Sequence, residues 1–126
     1  MNIVDSSGWL EYLSDGPLAA SFEEPLSERD RLIVPVICIY EVFRVVLREK
    51  DEEHALRTAA LMRQGQVVDL SEGIALQAAR LGNMFKLPMA DSIILATARE
   101  FEAVIWTMDG DFKPFENTKY FTPQKA

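Results

Sequence analysis

The hydrophobic and polar positions of this chain alternate between two patterns, short apolar runs and apolar residues at helical spacing. Apolar, β-branched runs predict strands at residues 2–5, 31–36, 66–70 and 103–107, with a possible edge strand at Tyr120 and Phe121. Helical spacing predicts helices at residues 6–16, 19–27, 38–49, 52–63, 71–85 and 91–99. We therefore expect an α/β fold with a central parallel β-sheet flanked by α-helices on both faces.

Four acidic residues lie where strands end or helices begin: Asp5, Glu41, Asp91 and Asp109. The carboxyl ends of parallel strands lie along one edge of a sheet, so carboxylates far apart in sequence can converge there. The negative charges of converging carboxylates repel one another unless cations neutralise them. Oxygen ligands favour Mg²⁺ or Mn²⁺ over zinc as these cations. The pattern predicts a metal-dependent phosphodiesterase.

Each acid also has a purely structural interpretation. Asp5 and Asp91 are suitable N-caps, as are Ser6 and Ser7 for the first helix. Glu41 interrupts an apolar surface but could occupy a solvated helix edge. Asp109 and Asp111, on either side of Gly110, are typical of a turn. Only the four positions taken together indicate catalysis.

Length and composition limit the architecture. A chain of 126 residues with 48% hydrophobic content is the size of one domain, 1–126, with a substantial core. The apolar runs are too short to span a membrane, and the N-terminal pattern resembles a strand and helix rather than a secretion signal, so we expect a cytoplasmic protein. The single cysteine, Cys38, lies in an apolar run and is expected to be a buried core residue.

The net charge of −7, from 13 basic and 20 acidic residues, is unusual for a protein that binds a polyanion. Nucleic acid would have to be bound locally, with divalent cations or a basic partner protein reducing the repulsion. Arg44 and Arg48, beyond Glu41 on the predicted helix, could contact RNA phosphates, although solvated salt bridges are the simpler interpretation.

Four short motifs, VDSS, IYEV, ADSIILATA and TMDGDF, occur in this order along the chain. Together they resemble the PIN-domain nucleases, and within them the VapC-type ribonuclease toxins of VapBC modules. The resemblance implies a PIN-like fold in which Asp5, Glu41 and Asp91 form an acidic triad around Mg²⁺ or Mn²⁺. It offers Asp109 first and Asp111 second as the fourth acid.

The resemblance also implies an RNA substrate, hydrolysis to a 5′-phosphate and a 3′-hydroxyl, a homodimer, and inhibition by a cognate VapB-like antitoxin. The hydroxyls of Ser6 and Thr107 could orient a carboxylate, or could act only as local caps. The alternative function is a catalytically silent PIN-like scaffold that acts through a protein partner.

Other enzymes and signalling domains fit the sequence less well. A receiver domain requires adjacent acids after the first strand, and a haloacid-dehalogenase-type phosphatase requires a second Asp two residues after the first. Ser6 and Ser7 follow Asp5 instead. A glycine-rich phosphate loop followed by lysine is also absent from the sequence, which argues against a nucleotide-binding ATPase.

Overall fold

A computed structural model describes residues 1–124, so the last two residues of the expected 1–126 domain lie outside the described residues. The strands are β1 (Asn2–Val4), β2 (Leu32–Pro35), β3 (Gln66–Val68), β4 (Val104–Thr107) and β5 (Thr118–Tyr120). The helices are α1 (Ser6–Leu13), α2 (Ala19–Ser27), α3 (Val36–Glu49), α4 (Glu52–Met62), α5 (Glu72–Phe85) and α6 (Met89–Glu100). Short 3₁₀ helices, Arg29–Arg31 and Gly110–Phe112, precede β2 and follow β4.

The five strands form one parallel sheet in the order β3-β2-β1-β4-β5. The central strand, β1, pairs with strands from distant parts of the chain, since Ile3 aligns with Ile33 on one side and with Ile105 on the other. All strands point the same way, so their carboxyl ends share one edge of the sheet. This confirms the predicted parallel α/β architecture.

Helices cover both faces of the sheet. Ile3 and Val4 are consecutive, so their side chains point to opposite faces, yet both are fully buried. Burial on both sides explains why the inner strands are continuously apolar rather than alternating. None of the helices within residues 1–124 is long and apolar enough to cross a membrane.

Prolines shift the start of two helices from the predicted positions. Pro35 and Pro88 occupy the N-cap positions of α3 and α6, so these helices begin at Val36 and Met89, each two residues earlier than predicted. The fixed backbone of proline suits the entry to a helix, where an N–H would have no partner. As a result, Asp91 lies within the first turn of α6 rather than at its start.

The structure confirms an edge strand and an N-cap for α1 but corrects the residues of each. The edge strand is Thr118–Tyr120, because Ile105 to Thr107 align with these residues rather than with Phe121. The N-cap of α1 is Asp5 and not Ser6 or Ser7, because the Asp5 carboxylate accepts a hydrogen bond from the Gly8 amide at 3.1 Å.

Candidate functional site

Asp5, at the junction of β1 and α1, is a buried acid whose side chain is held by three hydrogen bonds. Oδ1 accepts from the Ser7 hydroxyl at 2.7 Å and from the Gly8 amide at 3.1 Å. Oδ2 accepts from the Thr107 hydroxyl at 2.7 Å. Burial raises the pKa of Asp5 to about 6, although the hydrogen bonds lower it in part. The carboxylate is therefore fixed in place but poorly solvated.

Two hydroxyl groups connect Asp5 to the loop that follows β4. Ser7 Oγ accepts from the Met108 amide at 3.0 Å, and Thr107 Oγ1 accepts from the Asp109 amide at 2.8 Å. Because both hydroxyls also donate to Asp5, each one joins the end of β1 to the end of β4. The position of Asp109 is thus coupled to that of Asp5.

Three further carboxylates meet beside this junction. Asp91 in α6, Asp109 after β4 and Asp111 in the 3₁₀ helix each offer an oxygen, and these oxygens lie within 4.8 Å of one another. Asp109 also caps the 3₁₀ helix by accepting from the Asp111 amide at 2.9 Å. Burial raises the pKa of Asp91 to about 8, and the negative charge of Asp109 adds to the increase. Without a cation, Asp91 therefore keeps its proton near neutral pH.

Glu41 is linked to the end of β1 through Ser6, the residue after Asp5. The Ser6 hydroxyl donates to Glu41 Oε1 at 2.5 Å, which links the first residue of α1 to the second turn of α3. The Cys38 thiol is fully buried close by, as expected, and its pKa is well above its usual range. Burial is the main cause, followed by the negative charges of Asp5 and Glu41.

The structure brings the predicted acids to one end of the sheet, but not as one compact group. Asp91, Asp109 and Asp111 cluster tightly, Asp5 connects to Asp109 through Thr107, and Glu41 connects through Ser6. Both candidates for the fourth acid, Asp109 and Asp111, belong to the cluster. Which of these acids are catalytic stays a prediction.

Sequence reasoning missed Ser7, whose hydroxyl contacts both Asp5 and the Met108 amide. The sequence offered only two adjacent serines after an aspartate, a pattern that does not indicate which hydroxyl turns toward the acid. Arg48 forms a solvated ion pair with Glu49, with Nε and Oε1 3.2 Å apart, as the simpler interpretation predicted. An RNA contact by Arg44 stays a prediction.

The donor set is suited to a hard divalent cation. All the candidate ligands are carboxylate oxygens, which Mg²⁺ and Mn²⁺ prefer, and no cationic side chain lies within salt-bridge distance of these acids in residues 1–124. Burial, followed by the neighbouring carboxylates Asp109 and Asp111, raises the pKa of Asp91. The residues present therefore fit a metal centre.

Comparison with protein families gives a match to the PIN domain over residues 3–116. The chain belongs to the PIN domain family. The matched region includes all five candidate acids and both hydroxyls that contact Asp5. This PIN domain has no significant match among curated proteins.

Solved structures share the fold of this PIN domain at low sequence identity. A toxin-antitoxin complex from Klebsiella pneumoniae is 22% identical, with a TM-score of 0.80, and the match covers 94% of this chain and 96% of that chain. VapC20 of Mycobacterium tuberculosis, described as a sarcin-ricin loop cleaving toxin, is 14% identical, with a TM-score of 0.77 and coverage of 92% and 95%. VapBC2 from Rickettsia felis, bound to a promoter DNA fragment, is 14% identical, with a TM-score of 0.74 and coverage of 94% and 97%.

Proposed function

We propose that this PIN domain is a metal-dependent endoribonuclease, the toxin of a type II toxin-antitoxin system, acting on RNA in the cytoplasm. The observation that carries the proposal is the convergence of Asp91, Asp109 and Asp111 beside the buried Asp5, at the carboxyl edge of a PIN-domain sheet. The similarity in fold to a toxin described as cleaving the sarcin-ricin loop supports RNA as the substrate class.

In this proposal Asp5, Glu41, Asp91 and Asp109 hold Mg²⁺ or Mn²⁺, with Asp111 as a further ligand. Bound there, the cation would lower the pKa of a water molecule and stabilise negative charge on the scissile phosphate. The protein contributes position: Ser7, Gly8 and Thr107 fix the Asp5 carboxylate, and Ser6 fixes that of Glu41. Ligands held in this way do not have to reorganise when a cation or substrate binds.

Hydrolysis would add water to phosphorus and release the 3′ oxygen of the preceding nucleotide with a proton. The products are a 5′-phosphate and a 3′-hydroxyl, as in the family that the sequence resembles. The only histidine, His54, is exposed and pairs with Asp51, so the acids and not a histidine carry out the proton chemistry.

The test is cleavage of a panel of labelled RNAs by purified protein in Mg²⁺, Mn²⁺ or EDTA. We expect cleavage that requires the metal and falls by at least about a hundredfold in Asp91→Asn, because a ligand carboxylate becomes a neutral amide. The exposed Asp69→Asn is the matched control. Folded protein that cuts none of the RNAs, or cleavage that is equal in Asp91→Asn, would contradict the nuclease proposal and favour a silent scaffold.

We propose that the antitoxin covers an apolar groove between α1, α3 and α4. Leu10, Leu13, Val45 and Val46 line this groove, whose volume is about 450 Å³. Similar folds occur in toxin-antitoxin complexes, and a helix with an apolar face is the occupant that such a groove fits. Val45→Glu should weaken binding of the cognate antitoxin in calorimetry, while an unchanged Kd would argue against this surface.

We also propose a homodimer formed through an apolar stripe on α3. Val36, Tyr40 and Leu47 are exposed, and together with the half-buried Phe43 they recur at helical spacing, so the four residues form one continuous face of α3. In analytical ultracentrifugation Leu47→Glu should shift the protein toward monomer, whereas Leu56→Glu on α4 should not. A wild-type protein that is monomeric at all concentrations would disprove the dimer.

A further inference from the structure

A basic and an aromatic residue, Lys113 and Tyr120, contact each other beside the acidic site. Lys113 follows Asp111 by two residues, at the end of the 3₁₀ helix. Its ammonium nitrogen lies 5.1 Å from the centre of the Tyr120 ring, in the edge strand β5. Within residues 1–124, Lys113 forms no salt bridge. The cation is therefore available to a ligand that carries negative charge.

The backbone fixes this pair close to the acids. Tyr120 aligns with Thr107 across β4 and β5, and the Phe121 amide donates to the Thr107 carbonyl at 2.9 Å. Aligned residues on neighbouring strands project to the same face of the sheet, so the Tyr120 ring lies on the face where the Thr107 hydroxyl contacts Asp5. Tyr120 is only half-buried and Lys113 is exposed, which leaves both accessible beside the carboxylate cluster.

On the other face of β5, Lys119 lies over a ring that is closed to a stacking base. The Lys119 ammonium nitrogen lies 4.3 Å from the centre of the Trp106 ring, but Trp106 is only 6% exposed. Phe121 stacks on Trp106 with the ring centres 6.1 Å apart. Because neighbouring residues of a strand point to opposite faces, Lys119 and Tyr120 belong to different surfaces. The Tyr120 ring is thus accessible on one face of β5, whereas the Trp106 ring beside Lys119 is covered on the other face.

We propose that Lys113 and Tyr120 form a subsite for one nucleotide of single-stranded RNA next to the scissile phosphate. The Lys113 ammonium binds the phosphate of this nucleotide, and its unpaired base stacks on Tyr120. This inference rests on the proposed ribonuclease function and adds a binding contact for the substrate strand beside the site. The subsite gives a protein with a net charge of −7 a local cation for a polyanion, next to its carboxylate cluster.

Fluorescence anisotropy with a short labelled single-stranded RNA of mixed sequence, in Mg²⁺, tests the subsite. All variants carry Asp91→Asn, so that the RNA is not cut. Lys113→Met should raise Kd several-fold and reduce the slope of log Kd against log salt by about 0.7, the value for one phosphate contact on a single strand. Tyr120→Leu should raise Kd roughly fivefold or more without changing the slope, since stacking is not electrostatic.

Conservative and matched variants separate binding from folding. Lys113→Arg and Tyr120→Phe should bind as the parent does, because charge and ring are kept. Lys119→Met removes the same charge from the covered face of β5 and should leave Kd nearly unchanged. Thermal unfolding should be similar in all variants. Equal Kd values for Lys113→Met, Lys119→Met and the parent, or no measurable RNA binding by the parent, would overturn the subsite.

The result is independent of the nuclease test. Cleavage that depends on Asp91 together with unchanged binding in Lys113→Met and Tyr120→Leu would reject the subsite and retain the nuclease. Loss of binding in both variants, in a protein that cuts no RNA, would retain the subsite and reject the nuclease.

Discussion

Asp5 caps α1, and this role is compatible with the metal-binding role that we propose for it. Its Oδ1 atom accepts two hydrogen bonds and its Oδ2 atom accepts one. A carboxylate oxygen has two lone pairs, so Oδ2 retains one for a cation while the other contacts are kept. The hydrogen bonds from Gly8, Ser7 and Thr107 fix the orientation of the carboxylate and thus of its remaining lone pair. The N-cap role of Asp5 is therefore compatible with its proposed role as a metal ligand.

Ser7→Ala tests whether the orientation of the Asp5 carboxylate depends on the second serine. The change leaves the Met108 amide without its partner and removes a donor from Asp5. We expect the free energy of unfolding to fall by about 1–3 kcal/mol, as for other half-buried partners that are removed. The pKa of Asp5 should rise further, because a hydrogen bond that favours its charged form is lost.

Urea unfolding and carbon NMR titration of the Asp5 carboxyl group measure these two quantities. Ser14→Ala is the control, since the Ser14 hydroxyl contacts only an exposed carbonyl at 3.3 Å. An Asp5 titration that is the same in Ser7→Ala and the wild type would show that Thr107 and Gly8 suffice.

At the scale of elements, α1 packs tightly against β1 and α2 at Gly8. A Cβ atom on Gly8 would lie 2.6 Å from Val4 Cγ1 and 2.7 Å from Phe22 Cε1. Gly8→Ala should therefore push α1 away from β1 and lower the free energy of unfolding by about 1–3 kcal/mol through overpacking. Activity should fall with it, since the Gly8 amide caps Asp5.

Gly73→Ala is the control for this prediction, because Gly73 has open space around it and lies in the first turn of α5. Alanine favours the helix there, so we expect stabilisation of up to about 1 kcal/mol. Thermal unfolding of both variants gives the comparison. A Gly8→Ala protein as stable as the wild type would show that Phe22 can move aside.

Most of the fold could be predicted because hydrophobic period distinguishes buried strands from helices. The acids could be placed together because parallel strands end along one edge. The hydroxyl contacts could not be predicted: Ser6 and Ser7 are adjacent and differ by about 100° around α1, so Ser6 turns to Glu41 and Ser7 to Asp5. The Lys113–Tyr120 contact depends on the alignment of β4 with β5, which sequence pattern does not fix.

For the whole molecule, the buried acids make stability depend on pH in an unusual direction. The pKa values of Asp5 and Asp91 are about 6 and about 8 in the folded protein, above the ordinary value of 3.8. The folded state thus binds more protons than the unfolded state between about pH 4 and pH 8. The melting temperature of the metal-free protein should fall as pH rises through this range.

Calorimetry in EDTA between pH 5 and pH 8 measures this dependence. Asp91→Asn should flatten the curve, because an amide does not titrate, whereas the exposed Asp69→Asn should leave it unchanged. Mg²⁺ should raise the melting temperature more at pH 8 than at pH 5, since it binds the ionised acids. A wild-type curve that rises with pH across the range would refute the assignment.

The position of β1 at the centre of the sheet has a consequence for protein synthesis. Strand β1 pairs on one side with β4, and Asp5 accepts a hydrogen bond from Thr107, more than a hundred residues later in the chain. Domains begin to fold while the chain is still being made, but this pairing must wait until β4 has been synthesised. A nascent chain therefore lacks the acid site until β4 and the loop that carries Asp109 have left the ribosome.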